Sequence, residues 1–305
     1  MLLKTDINIP IDNIKINFDT EGLWVLNIAL AVIMFGVALS IKITDFKRLL
    51  QKPKQLLVGV FSQFFLLPAF TFLAILIIKP HPSFALGMMM IAACPGGNVS
   101  NFFSKMAKGN EALSVSLTIF STVTCLIMTP FNLQFYGGLY EPTSAILKTV
   151  ELNPFELFKL VLLILGIPVV LGVALNHYNE NIAKKIETVL KPFSMIIYLV
   201  LIGIVFYENI EIFLEYLHLI VALVIFHNIG AYIIGFYTAK GFGLNKKNRK
   251  TISMETGIQN GGLGLLLIFQ FFDGLGGMAF LVGFWGIWNI FSGMILGAYW
   301  GRKNN

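Results

Sequence analysis

The stretch Glu255-Thr-Gly-Ile-Gln-Asn-Gly-Gly262 places an acid, two amides and three glycines inside a long apolar region. No other charged residue follows before Asp273. Glycine lowers helix stability by about 0.8–1.0 kcal/mol relative to alanine, so Gly257, Gly261 and Gly262 favour an unwound turn beside the acid. A helix that carries this stretch is predicted to be interrupted there, and the backbone carbonyls that the interruption frees need other partners.

The composition predicts an all-α polytopic membrane protein without a separate soluble domain. The chain is 56% hydrophobic and 12% charged, and apolar segments of about 20 residues recur, each long enough to cross ~30 Å of hydrocarbon. In that setting a carboxylate costs roughly 2.5–3.5 kcal/mol on insertion scales, so Glu255 is a candidate functional residue. Residues 1–19 contain no apolar core of a signal peptide, which predicts that none is cleaved. The basic pI, about 9.2, reflects loop lysines rather than a nucleic-acid partner.

A second interrupted segment, Cys94-Pro-Gly-Gly-Asn-Val-Ser-Asn101, follows the apolar run that begins at Phe84. Pro95 removes a backbone donor and disfavours helix for the residue before it. Two interrupted hydrophobic segments at corresponding places in two halves of a chain indicate the binding site of a transporter.

Nine membrane spans are predicted. They are 22–42, 55–79, 84–107, 111–136, 157–177, 189–208, 213–240, 250–272 and 277–300. The loops alternate in charge, and 17 of the 22 basic residues fall on one side. The positive-inside rule therefore predicts an external N-terminus and a cytoplasmic C-terminus. The connection 136–154 is predicted to be irregular, and the five basic residues from Lys240 to Lys250 are predicted to lie in a solvated loop that signals topology.

The two halves of the chain look repeated. Spans 2–4 and spans 7–9 both run apolar, interrupted, apolar. Gln63 in span 2 corresponds to His227 and Asn228 in span 7, and Asn98 corresponds to Asn260. The two triplets face opposite ways, which predicts an inverted repeat of five plus five helices with the first one missing.

These residues resemble the bile acid:sodium symporter family, of the nine-helix type. The motifs that carry the resemblance are Ile33-Met-Phe-Gly-Val-Ala-Leu39, Gln63 with Pro68, the two interrupted stretches, Gly109-Asn-Glu-Ala-Leu-Ser114, His227-Asn228 and the region from Trp288 to Trp300. The resemblance implies a core domain and a panel domain, with two discontinuous helices that cross at the centre of the core. The implied divisions are an external segment (1–21), panel helix 1 with its loop (22–54), core repeat 1 (55–136), a loop with panel helices 5 and 6 (137–208), core repeat 2 (209–300) and a cytoplasmic tail (301–305).

The resemblance also implies two sodium sites that share Glu255. The first comprises Ser100, Asn101, Ser114, Thr118 and Glu255. The second comprises Gln63, Glu255 and Gln259 with the backbone carbonyls of Thr256 and Ile258. Sodium is a hard cation that favours oxygen ligands. The sequence alone puts Ser114 and Thr118 on one helix face. Three structural alternatives remain open. Ser114 and Thr118 could be helix-packing hydroxyls, Glu255 could be a structural acid, and His227 and Asn228 could make interhelical bonds.

The substrate is predicted to be an organic anion. No lysine or arginine is expected in the membrane interior, away from the ends of the predicted spans, to bind a carboxylate, but the N-termini of broken helices can do so. The residues expected near the crossing are Gly97, Asn98, Asn260 and Asn289. Family members often have threonine in place of Asn98 and histidine in place of Asn289. The family's known substrates, which include bile acids, pantoate-like acids and pyruvate, are therefore a poor guide to the substrate of this chain. A small carboxylate is preferred.

The sequence therefore predicts a monomeric symporter in the cell (inner) membrane that couples two sodium ions to uptake of an organic anion by alternating access. It is not predicted to be an enzyme, because it supplies neither a second acid near Glu255 nor a serine with a histidine base. Two alternatives are proton coupling through Glu255 and a membrane sensor that binds a ligand without transporting it.

Overall fold

The computed structural model describes residues 11–14, 16, 20–39, 53–97, 99–150, 154–208 and 210–302. They are almost entirely helical, and no β-strand occurs among them, so the fold is all-α as predicted. In chain order the helices are α1 (Thr20–Ala38), α2 (Pro53–Ile78), α3 (Pro82–Ala93), α4 (Val99–Met106), α5 (Glu111–Leu139), α6 (Glu141–Thr149), α7 (154–178), α8 (Glu180–Glu208), α9 (Ile210–Gly241), α10 (Lys246–Gly257), α11 (Gly261–Phe271) and α12 (Gly276–Arg302).

Four helices of the described region are long and apolar enough to cross a membrane, namely α2, α5, α12 and most of α9. Helices α3 and α11 are apolar but shorter. The long helices expose large apolar side chains, among them Ile77, Ile127 and Ile295, which are 82%, 68% and 65% exposed. Extensive exposed apolar surface of this kind is typical of a protein that contacts lipid.

Both predicted interruptions are present. Helix α3 ends at Ala93 and α4 begins at Val99, while α10 ends at Gly257 and α11 begins at Gly261. Asn260 starts α11 as its N-cap, because its Oδ1 accepts a hydrogen bond from Leu263 N at 3.1 Å.

A π-helical segment, Ser62–Leu66, interrupts the regular pattern of α2 and carries Gln63. Pro68 follows it. Because proline has no N–H, it cannot donate to Phe64 O four residues earlier, which weakens the α-helical pattern at this point. Segments of this type are frequent at functional sites.

The prediction that 136–154 is irregular is wrong for residues 136–149, which are almost entirely helical, while residues 151–153 lie outside the described residues. Helix α5 continues to Leu139 through two glycines, and α6 follows almost at once. Pro142 lies in the first turn of α6, where a missing N–H is tolerated. Thr143 Oγ1 donates to Gly137 O at 2.6 Å, and Leu147 is buried, so packing against α5 stabilises a short amphipathic helix that turn residues seemed to exclude.

Two groups of helices are evident from their packing. Helix α1 packs against α7 and α8, whereas α3 packs against α5 and α12, and α10 against α9. Every residue of α3 from Ser83 to Ala93 is buried, as are the first nine residues of α11. The short apolar helices therefore lie in the interior, surrounded by the longer ones.

Candidate functional site

Glu255 lies at the centre of a cluster of oxygen atoms contributed by three helices. Its side chain is buried on α10. Ser100 Oγ on α4 donates to Oε1 at 2.7 Å, Ser114 Oγ on α5 donates to the same oxygen, and Thr118 Oγ1 lies 3.1 Å from Oε2. Four predicted residues that are up to 155 positions apart in the sequence therefore meet at one carboxylate.

Thr118 shows that the cluster is rich in acceptors and poor in protons. Its single hydroxyl proton faces three oxygen acceptors, since Oγ1 also lies 3.2 Å from Ser114 O and 3.3 Å from Asn101 Oδ1. A hydroxyl can donate to one of them and still present its lone pairs to a cation. Oxygen atoms at this density, with one carboxylate, match the preferences of a hard cation.

The other face of Glu255 is directed towards Gln63 and Gln259. A Cβ at Gly96 would lie 3.1 Å from Glu255 Oε2 and 3.2 Å from Gln63 Nε2, so both side chains approach the same glycine. Gln63 Nε2 lies 3.5 Å from Gln259 Oε1. Buried Gln63 Oε1 has no hydrogen-bond partner among the described residues, which leaves an oxygen available to a ligand.

The two candidate backbone ligands are carbonyls at the end of α10 and in the interruption that follows it. Thr256 O accepts a hydrogen bond from Gln259 Nε2 at 2.8 Å, and Ile258 O accepts one from Gly97 N at 2.7 Å. A carbonyl oxygen has two lone pairs, so each retains one for a cation.

The two interruptions bind each other directly. Gly96 and Gln259 form an isolated antiparallel β-bridge, in which Asn260 N also donates to Pro95 O at 2.9 Å. A Cβ at Gly97 would lie 2.9 Å from Gln259 O, which is closer than a side chain normally allows. Glycine is therefore required at this close approach of two backbones.

The predicted substrate residues surround this junction. Gly97 and Asn260 are part of it, and Asn289 on α12 donates Nδ2 to Gln259 O at 2.9 Å. Asn98 lies outside the described residues. The helices α4 and α11 both begin at the junction, so the N-terminal ends of two helix dipoles are close together.

His227 and Asn228 have different surroundings. The side chain of His227 bonds through Nε2 to Thr71 Oγ1 on α2 at 2.6 Å and packs on the ring of Trp285. It makes an interhelical contact. Asn228 Nδ2 instead donates to Gly257 O at 2.8 Å, at the end of α10.

Sequence reasoning missed two residues of α5 that support the site. Thr129 Oγ1 donates to Ala93 O at 2.6 Å, and Asn132 Nδ2 donates to Phe64 O at 2.9 Å. Each carbonyl lacks the α-helical donor that is normally found four residues later, because residue 68 is proline and Gly97 N donates to Ile258 O instead. Pro68 could have indicated the second contact, because it identifies Phe64 O as a carbonyl in need of a donor.

Lys250 corrects the prediction for the loop Lys240–Lys250. It is only 7% exposed, and its Nζ donates to Ala107 O at 2.8 Å and to Trp300 O at 3.1 Å. These carbonyls lie at the C-terminal ends of α4 and α12, where a cation is favourable. The residue links helix ends instead of lying in solvent.

Known proteins share this sequence pattern. Residues 27–216 match the Sodium Bile acid symporter family. A Bacillus subtilis protein named "Uncharacterized sodium-dependent transporter YocS" is 31% identical over 279 residues, which are 91% of this chain and 83% of that protein. The probable sodium/metabolite cotransporter BASS1 of Arabidopsis thaliana chloroplasts is 28% identical over 80% of this chain and 59% of its own length. The human ileal sodium/bile acid cotransporter is 29% identical over 77% of this chain and 66% of its own.

Proposed function

Because the chain belongs to the sodium bile acid symporter family, we propose that this multi-pass membrane protein is a sodium-coupled symporter that imports an organic anion. The observation that carries the proposal is the Glu255 carboxylate, buried in apolar surroundings with hydroxyls of Ser100, Ser114 and Thr118 directed at it. A buried charge without a counter-charge is costly in a membrane. A bound cation supplies that counter-charge.

Two sodium ions share this carboxylate in our proposal. The first ion binds among the oxygens of Ser100, Asn101, Ser114, Thr118 and Glu255. The second binds on the opposite face, among Gln63, Glu255, Gln259 and the carbonyls of Thr256 and Ile258. The unpartnered Gln63 Oε1 supports the second site, since an oxygen acceptor buried without a donor fits a cation.

The anion binds next to the sodium ions at the junction of the interrupted helices. Two helix N-termini supply partial positive charge there, and Gly97, Asn98, Asn260 and Asn289 surround the position. Asn260 uses its Oδ1 to cap α11, which leaves its amide nitrogen as a donor for a carboxylate. A small carboxylate, such as a pantoate- or pyruvate-like acid, is preferred to a bile acid.

The transport cycle follows from a core that moves against a panel. The core comprises α2–α5 and α9–α12, which are spans 2–4 and 7–9 of the nine in our proposal and form an inverted repeat. The N-terminus lies outside and the C-terminus lies in the cytoplasm. The panel comprises α1, α7 and α8, and their mutual packing supports that grouping. Alternating access then exposes the fixed site to either side of the membrane.

Sodium titration of the purified protein tests the proposal and counts the ions. A ligand that binds only the folded state stabilises it by RT ln(1 + [L]/Kd). At saturating concentrations each bound ion therefore adds about 1.4 kcal/mol of stability per tenfold increase in sodium. Two ions predict twice that slope, measured at constant ionic strength with choline as the replacement cation. Equal stability in sodium and choline would exclude a sodium site.

Transport itself is measured in liposomes with an imposed sodium gradient and a panel of labelled carboxylates. Concentrative uptake that follows the sodium gradient is the expected result. Uptake without sodium, driven by a proton gradient, would show that transport is coupled to protons and not to sodium. Stabilisation by an anion in the absence of any flux would favour a sensor.

A further inference from the structure

The segment between α10 and α11 is held from outside by two amide side chains. Asn228 on α9 donates Nδ2 to Gly257 O at 2.8 Å, and Asn289 on α12 donates Nδ2 to Gln259 O at 2.9 Å. Asn228 is fully buried and Asn289 is 2% exposed. These carbonyls alternate along the chain with those of Thr256 and Ile258, which are the candidate ligands.

The orientation of the Asn228 amide is fixed by its neighbours. Trp288 Nε1, which can only donate, lies 3.1 Å from Asn228 Oδ1. The oxygen of the amide must therefore face Trp288, and the nitrogen must face Gly257 O. Asn289 is oriented by the same logic, because its partner Gln259 O can only accept.

Fixing these two carbonyls fixes the one between them. Ile258 is extended, with φ −107° and ψ 99°, and Gln259 forms a β-bridge with Gly96. In an extended chain successive peptide groups point in opposite directions. Asn228 on α9 holds Gly257 O, and Asn289 on α12 holds Gln259 O. Ile258 O is therefore turned away from α9 and α12 and towards Gly97 N, from which it accepts a hydrogen bond.

We propose that Asn228 and Asn289 are positioning residues for the second sodium site, which they serve by orienting the carbonyl of Ile258 without touching the ion. The inference rests on the proposed function, because the site is the same. For Asn289, this role at the sodium site replaces the contact with the anion that is proposed above. The Oδ1 that Asn289 leaves without a partner among the described residues is an acceptor, which a carboxylate cannot satisfy.

The test uses the purified full-length protein and measures the thermal midpoint as a function of sodium at constant ionic strength. Asn228→Leu and Asn289→Leu should each raise the half-saturating sodium concentration about two- to tenfold, the range set by one neutral hydrogen bond. The matched control is Asn176→Leu. Asn176 on α7 is a buried amide that donates its nitrogen to Leu39 O, far from the junction along the chain. This control should lower the midpoint equally at every sodium concentration.

Smaller substitutions guard against misfolding. Asn228→Ser and Asn289→Ser remove the amide donor without adding apolar bulk, and they carry the same expectation. Asn289→His retains a ring N–H and should restore part of the sodium affinity that Asn289→Leu loses.

The outcomes separate this inference from the proposed function. Variants that lose thermal stability but keep the wild-type half-saturation for sodium would make these residues merely structural and overturn the inference alone. A wild-type protein that sodium does not stabilise would overturn the proposed function and this inference with it.

Discussion

Replacing Glu255 by glutamine is the most direct test of the site. The substitution keeps the shape of the side chain and removes its charge. Three hydroxyls now donate to the two carboxylate oxygens, whereas a glutamine offers one oxygen and one NH2 group. At least one hydroxyl must therefore turn away and donate elsewhere.

The expected loss of sodium affinity is large compared with the loss of any single neutral ligand. A unit charge about 4 Å from a cation contributes about 4 kcal/mol at an effective dielectric constant of 20, which corresponds to roughly three orders of magnitude in affinity. Ser114→Ala and Thr118→Val each remove one neutral ligand worth about 0.5–1.5 kcal/mol, or about two- to tenfold.

The charge removal has the opposite effect on the protein without sodium. A carboxylate buried in hydrocarbon costs roughly 2.5–3.5 kcal/mol on insertion scales, and a neutral amide avoids part of that cost. Glu255→Gln should therefore be at least as stable as the wild type in choline but gain no stability from sodium. This pair of results distinguishes loss of a ligand site from general misfolding.

The assay is a thermal titration from low to high sodium, followed by uptake into liposomes. Glu156→Gln is the control, because Glu156 is exposed and pairs with Lys159 at 3.5 Å, and exposed pairs contribute about 0–1 kcal/mol. It should behave like the wild type. Undiminished sodium stabilisation of Glu255→Gln would refute the assignment of the carboxylate as the shared ligand.

Three further predictions concern backbone, support and topology. Gly97→Val and Gly257→Val should abolish uptake with little loss of membrane insertion. A Cβ at Gly97 would lie 2.9 Å from Gln259 O, and a Cβ at Gly257 would lie 2.3 Å from the ring of Tyr232 on α9. Normal uptake by both variants would contradict the close approach. Asn132→Leu should lower the unfolding free energy by about 1–3 kcal/mol and weaken sodium binding, because it removes the side-chain donor to a buried carbonyl next to Gln63. An unchanged thermal midpoint and sodium titration would show that this contact supports nothing. Cysteine at position 141 should react with an impermeant reagent on intact cells and cysteine at position 247 should not, against a low background because both native cysteines are buried; the reverse pattern would invert the topology.

Local sequence was sufficient to predict where the helices break and which side chains lie on the same face of a helix. Pro95, Gly97 and Gly257 disfavour helix for reasons that act within one or two residues. The i, i+4 spacing of Ser114 and Thr118 likewise fixes their common face without reference to the rest of the fold. These features follow from backbone chemistry, so they are readable in a single sequence.

Features that depend on distant partners were not predictable in the same way. Thr129 and Asn132 resemble ordinary polar residues of a membrane helix until Ala93 O and Phe64 O are seen beside them. Lys250 belongs by sequence to a basic loop, yet free carbonyls at two helix ends draw it inside. In each case the decisive partner is a backbone group whose availability depends on where another helix ends or is interrupted.

The two interruptions depend on each other, and this dependence links folding to ion binding. Each supplies a backbone acceptor that the other lacks, since Gly97 N donates to Ile258 O and Asn260 N donates to Pro95 O. Neither stretch could remain unwound in hydrocarbon alone, because its free polar groups would have no partner. The same junction brings Ser100 to Glu255, so the oxygen cluster exists only when the two halves have docked. An ion that binds this cluster must therefore stabilise the contact between the halves, and a mutation that separates them must weaken ion binding by linkage.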